Sequence, residues 1–380
     1  MSTKKYKICS KTVMDTSDPG ITFDDEGISN HYWDYQNFVK QNWYHGDAGI
    51  SKLNKTIEKI QKSGKGKDFD CILGLSGGLD SSYMLHKMVT EYNLRPLVFH
   101  VDGGWNSEIA VNNISCLVDK LSLDLYTEVI DWEEMRDFQL SMFKAGVPHL
   151  DIPQDMAFMG VLYKFAKKEG IKYVLNGSNI ASESVLMPLE ILYWPADMRQ
   201  VKDILSKFGN VKMETYPFSG IFFHKIYLPY IKRLKVFKPL NFLPYNLKNA
   251  ESELTAIYGW KPYSQKHFES RFTRFFEGYW LPKRFGYDMR RNQLSSLILS
   301  GQITRELALE KLNSPALSKE EVKEEFSYIS DKLCISVQEL KYFEEMEKKY
   351  YWDYSNNKFL FDVGEFILKN LGKTRRGGAY

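Results

Sequence analysis

The chain has 380 residues, 43% hydrophobic and 26% charged, which is enough for two or three domains with a large buried core and excludes disordered and fibrous structure. Lys plus Arg number 51 against 48 Asp plus Glu, so a net charge of +3 gives no general field for nucleic acid or anionic lipid, and any anion site must be local. Four cysteines (Cys9, Cys71, Cys116 and Cys334) form no CxxC pair, which argues against a disulfide framework and suits the cytoplasm.

The first residues, MSTKKYKICSK, lack the apolar core of a signal peptide, and no run of eighteen uncharged apolar residues occurs, so neither export nor a membrane partner is expected. Asp15 to Tyr35 is dense in Asp, Gly, Pro and Asn and reads as a small turn-rich module. Residues 50–63 space Ile50, Leu53, Ile57 and Ile60 as a short amphipathic helix, which Gly64-Lys65-Gly66 breaks. Four apolar runs of buried-strand type follow at 71–75, 97–101, 125–129 and 173–175. Helical patterns fill the intervals at 81–92, 107–121 and 155–168. The alternation predicts an α/β fold, an open parallel sheet with helices on both faces, joined by right-handed crossovers. Beyond about residue 200 the chain becomes aromatic-rich and basic (220–246) and then helical to the end, and the arginines of its KTRRGGAY tail read as solvated. The expected divisions are 1–60, an N-terminal module with its lead-in helix; 61–235, a nucleotide-binding domain; and 236–380, a basic, mainly helical substrate region.

The chemistry concentrates directly after the first strand, in Leu75-Ser76-Gly77-Gly78-Leu79-Asp80-Ser81-Ser82. Paired glycines permit a tight turn, and the amides of the turn and of the new helix point outward without partners, which suits an anion. Ser76, Ser81 and Ser82 add hydroxyls, and Asp80 is placed to hold Mg²⁺ on phosphate oxygens. A nucleoside triphosphate is the natural occupant. The loop is neither a Walker A sequence nor GxGxxG. Asp102-Gly103 after the second strand and Asn176-Gly177 after the fourth are small and polar where base and ribose would lie.

SGGxDS after a strand resembles the PP-loop of the ATP pyrophosphatase superfamily. More specifically, residues 13–27, 75–86, 100–108, 175–183 and 266–305 resemble, in order, the N-acetyl sugar amidotransferase family of WbpG/PseA type. The resemblance implies conversion of an acetamido group on a bacterial surface-sugar precursor to an acetamidino group, with ATP and Mg²⁺. Ser2 stands where one glutaminase class has its N-terminal cysteine, and no cysteine lies in the nucleophile context of the other class. Ammonia is therefore expected from a partner glutaminase resembling the histidine-biosynthesis subunit, with or without its cyclase-like companion. The other expected partner is a sugar or sugar nucleotide, not nucleic acid. The family's CxxC and CNxC fall on Cys9, Thr12, Ser29 and Tyr32, so three of four zinc thiolates are missing; His31 adds one nitrogen at most, and no zinc is expected.

Between Lys261 and Arg305 nine basic residues face three acidic ones. Lys266, Arg271, Arg274, Lys283, Arg290 and Arg291 are the expected diphosphate-binding set. The expected catalytic residues are Asp80 and Ser81 with Glu183, His267 and Glu269, the last three as proton acceptors when ammonia attacks. Two other readings remain at this point: a PP-loop enzyme modifying tRNA, and a non-catalytic nucleotide-binding subunit.

Overall fold

A computed structural model describes residues 5–44 and 46–370. Five parallel strands form one sheet in the order β3-β2-β1-β4-β5, with β1 at Cys71–Gly74, β2 at Pro96–Asp102, β3 at Leu125–Val129, β4 at Tyr173–Leu175 and β5 at Lys235–Phe237. The register sets Ile72 beside Leu97 on one side and beside Val174 on the other. Alternation along the strands sorts their side chains to two faces. Ile72, Leu97, Phe99 and Val174 enter one core cluster, while Cys71, Leu73, Val98 and Leu175 enter the other. Because both faces are covered, the central strands read as unbroken apolar runs.

The second cluster is roofed by the helices Leu79–Thr90, Glu108–Leu121 and Leu247–Tyr258. The first takes Trp132–Ala145 and Ile152–Lys168 together with Phe272, Phe275, Phe276 and Trp280, so the C-terminal region shares the sheet's core. Helix starts follow short polar caps: Ser107 accepts from Ala110 N–H, Asp131 from Glu134 N–H and Asn179 from Ser182 N–H.

The sheet differs from expectation in three respects. β3 is an edge strand, not a buried one, with Tyr126 and Val129 exposed. A fifth strand, β5, lies within the aromatic, basic stretch and straddles the expected 235/236 division. Two helices, not one, separate β3 from β4. The N-terminal module is held from outside: Arg291 donates to Val13 O, and Arg305 donates to Cys9 O and Thr12 O. The KTRRGGAY tail lies outside the described residues.

The order 3-2-1-4-5 matters for ligands. From β1 the chain builds outward to β2 and β3, then returns to lay β4 on β1's other side. The crevice between the carboxyl ends of β1 and β4 is therefore the topological switch point, where open α/β sheets bind their ligands.

Candidate functional site

Both loops expected at that crevice meet there. A methyl group on Gly177, after β4, would lie 3.3 Å from Ser81 N, so the two turns touch. Gly77 adopts φ +82°, and a methyl there would stand 2.7 Å from Ala110 O; glycine is required on both counts. Its carbonyl accepts from Trp260 Nε1 (3.2 Å), Tyr263 OH (3.1 Å) and Asn113 Nδ2 (3.4 Å). These donors pin the turn from behind. Inside it, Ser76 Oγ and Ser81 Oγ lie 3.2 Å apart, and Ser76 Oγ accepts from Gly78 N–H. Gly78 caps the helix Leu79–Thr90, so Leu79, Asp80 and Ser81 open its first turn, with Ser82 buried behind them.

Asp80 is the centre of a charge cluster. Its Oδ1 accepts from Tyr245 OH, and its Oδ2 lies 2.9 Å from Lys266 Nζ. The same ammonium meets Glu183 Oε1 at 2.5 Å and Ser182 Oγ at 3.0 Å. Burial alone would lower the Lys266 pKa, but the Asp80 and Glu183 carboxylates more than offset it and raise it above the ordinary lysine value. Two carboxylates and a hydroxyl converging on one cation make a hard-oxygen donor set that fits Mg²⁺. Asp80 and Glu183 would hold the ion, and it would have to draw them from Lys266.

Lys266 opens a short segment that lies across the loop. Glu269 packs against Gly78, where a methyl would come within 2.6 Å of Oε1, and this oxygen accepts from Ser76 Oγ at 3.3 Å. The segment is fixed by backbone pairing with the turn after β2: Ser107 N–H donates to Glu269 O and Arg271 N–H donates to Trp105 O. Burial pushes the Glu269 carboxyl above the usual range, against the opposing pull of His267 and the Ser76 hydroxyl. His267 adopts φ +67°, and its Nδ1 lies 3.0 Å from Glu277 Oε1. Burial opposes its charge, but Glu277 prevails and its pKa rises to about 9. At neutral pH His267 therefore carries a proton, so the expected proton acceptor is there a cation. Asp102 sits one loop away, its Oδ1 accepting from Gly104 N–H and Asn106 Nδ2, and Gly103 abuts Met135.

The expected diphosphate set does not converge. Arg271 and Arg274 both bind the buried Glu325, and Arg274 also binds Glu321; Arg271 in addition stacks on Tyr328, 3.5 Å from its centroid. Arg290 chelates Asp288, Arg291 meets Asp15 at 3.1 Å, and Lys283 is exposed. Of the six, Lys266 alone is in the loop's charge cluster. For Arg271 and Arg274 the cause is tertiary: a part-buried guanidinium needs carboxylate partners, and Glu321 and Glu325 of the helix Lys319–Leu333 supply them. Tyr245, Trp260, Tyr263 and Asn113 were not expected. Nothing in their spacing marks them, since each reaches the loop from a distant part of the chain.

In the N-terminal module Cys9 Sγ accepts from Ser29 N–H (3.2 Å) and Lys11 N–H (3.5 Å). Burial opposes the thiolate, yet hydrogen bonds from Ser29 and Thr12 bring the pKa below the ordinary thiol value. His31 binds Asp18 at 2.8 Å. Of the four positions set against thiolates by resemblance, Cys9 and Ser29 are thus joined by a hydrogen bond. Among the described residues no helix is long and apolar enough to cross a membrane.

The strand order, the SGGxDS turn at the switch point and the helical C-terminal region define an open, parallel α/β protein whose loop resembles a PP-loop. Residues 269–368 match the family model described as LPS biosynthesis protein WbpG-like, C-terminal domain. An uncharacterized protein of Methanocaldococcus jannaschii is 21% identical over 279 residues, 71% of this chain and 83% of the relative. Similar solved structures include the NH3-dependent NAD synthetase of Campylobacter jejuni (14% identical, 79% of this chain and 98% of that one, TM-score 0.28). The U34-tRNA thiolase NcsA of Methanococcus maripaludis is 14% identical over 79% of this chain and 82% of that one, with a TM-score of 0.30.

Proposed function

We propose that the protein is an ATP-dependent amidotransferase that converts an acetamido group of a bacterial surface-polysaccharide or nonulosonic-acid sugar precursor to an acetamidino group. The observation that carries this reading is the placement of Glu269. The first residue of the WbpG-like match touches the loop itself, through Gly78 and Ser76, which supports a substrate held by that region beside a nucleotide held by the loop.

An amide carbonyl is a poor electrophile with a poor leaving oxygen. Transfer of the adenylyl group solves both problems: the amide oxygen bonds to the α-phosphorus, the bond to pyrophosphate breaks, and the amide nitrogen loses its proton. Ammonia then adds to the imidate carbon, the bond to AMP breaks, and the strongly basic product retains the proton as an amidinium. The loop amides and the Ser76 and Ser81 hydroxyls receive the phosphates of ATP. Lys266 supplies positive charge as pyrophosphate departs, work that oriented charges do well in a half-buried site. Mg²⁺, when held by Asp80 and Glu183, neutralises phosphate charge. Glu269, its carboxyl raised by burial, takes the amide proton, while protonated His267 holds the charge balance beside it.

Ammonia comes from a partner glutaminase. Cys71, fully buried in β1 with its thiol pushed up by burial, is not placed to carry sulfur. The purified chain should release pyrophosphate with an acetamido sugar and ammonium but not with glutamine. Glutamine-driven turnover by the lone chain removes the need for a partner, and pyrophosphate release dependent on tRNA overturns the sugar reading.

A further inference from the structure

The aromatic, basic stretch after residue 220 is used by nothing above, and the fold gives it a definite place. Residues 223–231 form a π-helical turn ending at the edge strand β5. Tyr230, Ile231 and Val236 are 71%, 60% and 53% exposed. Beside them Lys232, Arg233 and Lys235 are exposed, and among the described residues none of the three pairs with a carboxylate; Lys232 and Lys235 stand over the rings of Tyr227 and Tyr173. They precede or open the edge strand β5 at the amino ends of the strands, whereas the glycine loop follows the carboxyl end of the central strand β1.

The neighbouring loops extend the charge. Lys235 N–H donates to Lys172 O, and Lys67 Nζ donates to Gly170 O, so the segments entering β1, β4 and β5 form one rim. Segments 65–70, 167–172 and 232–235 hold eight basic residues against three acidic ones, an excess larger than that of the whole chain. One of the three acids, Asp70, is buried and taken by Arg95. The near-neutral total hides this segregation.

We propose that this rim docks the protein on an anionic bilayer surface, with Tyr230 and Ile231 entering the headgroup region and Lys232, Arg233 and Lys235 facing acidic lipids. Exposed aromatic and aliphatic side chains ringed by cations are the chemistry of a peripheral lipid contact. A second copy of the chain would set the same positive excess against itself. A partner feeding ammonia to the loop would have to reach the carboxyl ends of the strands instead. The proposal departs from the expectation of no membrane partner, which rested on the lack of long apolar runs and on a small net charge.

The test is co-sedimentation of the full chain with vesicles of mixed phosphatidylglycerol and phosphatidylcholine, and with phosphatidylcholine alone, at low and high salt. It needs no catalytic turnover, so its failure would leave the proposed reaction untouched. Binding should require the anionic lipid and fall with salt. Replacing both cations (Lys232→Gln with Arg233→Gln) should weaken binding by about thirtyfold, since each basic side chain near such a surface contributes about fivefold. Tyr230→Ser with Ile231→Ser should weaken it by about tenfold or more. Lys172→Gln, on the same rim, provides a second charge test should the first pair alter the melting temperature. Equal binding to both vesicle types, or unchanged binding by the variants, overturns the proposal. So does a dimer that Tyr230→Ser with Ile231→Ser dissociates, or retention on polyglutamate as strong as on the vesicles, which would assign the rim to an acidic protein.

Discussion

The Ser76 hydroxyl donates to Glu269 Oε1 at 3.3 Å, joining the glycine loop after β1 to the first residue of the WbpG-like match across 193 positions of sequence. The contact is close because Gly78 leaves room for it. Gly78→Ala would drive a methyl into Glu269 Oε1, whereas the Gly78 backbone, at φ −74°, accepts alanine without strain. Gly78→Ala should therefore turn the Glu269 carboxylate aside at a cost of about 1 kcal/mol in urea unfolding, and that loss should vanish in a Glu269→Ala background. An additive double variant would place the penalty elsewhere.

Asp80→Asn keeps the shape of the side chain but removes the charge that meets Lys266. Its melting curve should shift little, while pyrophosphate release should fall by about 10²–10³-fold. Undiminished turnover would remove Asp80 from the chemistry.

Loss of the cation is a different matter. Lys266→Met leaves Asp80 and Glu183 facing each other with no positive partner, and stability should drop by about 3 kcal/mol. Because a divalent ion fits the same oxygens, added Mg²⁺ should raise the melting temperature of Lys266→Met more than that of the wild type. An equal response in the two proteins would separate the carboxylates from metal binding.

His267 gives a pH signature. Its folded pKa is raised to about 9 by Glu277, above the unfolded value. A raised pKa means that the folded state holds the proton more tightly, so the stabilisation is complete below the unfolded pKa and is lost as pH climbs through about 9. The stability difference between wild type and His267→Gln should shrink across that window, and the imidazole resonances should titrate near its upper end. A titration at the ordinary histidine value would show that the Glu277 contact is absent in solution.

The N-terminal module should need no zinc. Cys9 Sγ already accepts two backbone N–H groups, and His31 is bound to Asp18. Exhaustive chelation should leave the melting temperature unchanged, and metal analysis should find no stoichiometric zinc; a clear drop on chelation would contradict this.

The loop, the central strands and the crevice they form were legible because they obey local rules: apolar runs of fixed length, a glycine pair, and a polar turn followed by a helical period. β5 was not, since Lys235-Val236-Phe237 is too short and too exposed at the sheet edge to show as an apolar run. The arginines misled for a related reason. Their spacing is visible in the sequence, but Glu321 and Glu325, which neutralise Arg271 and Arg274, lie about fifty residues downstream and meet them only through tertiary packing. The same holds for Tyr245 on Asp80 and for Trp260 and Tyr263 on the Gly77 carbonyl, where the function of each side chain exists only once the helix Leu247–Tyr258 has docked.

The most direct test is the mass of the product. The chain is incubated with ATP, Mg²⁺, ammonium and a panel of acetamido sugars and sugar nucleotides. The account predicts that one of them exchanges its amide oxygen for NH, with one AMP and one pyrophosphate formed for each amidine. Formation of ADP and phosphate in their place, or ATP turnover that leaves every acetamido group intact, would contradict it.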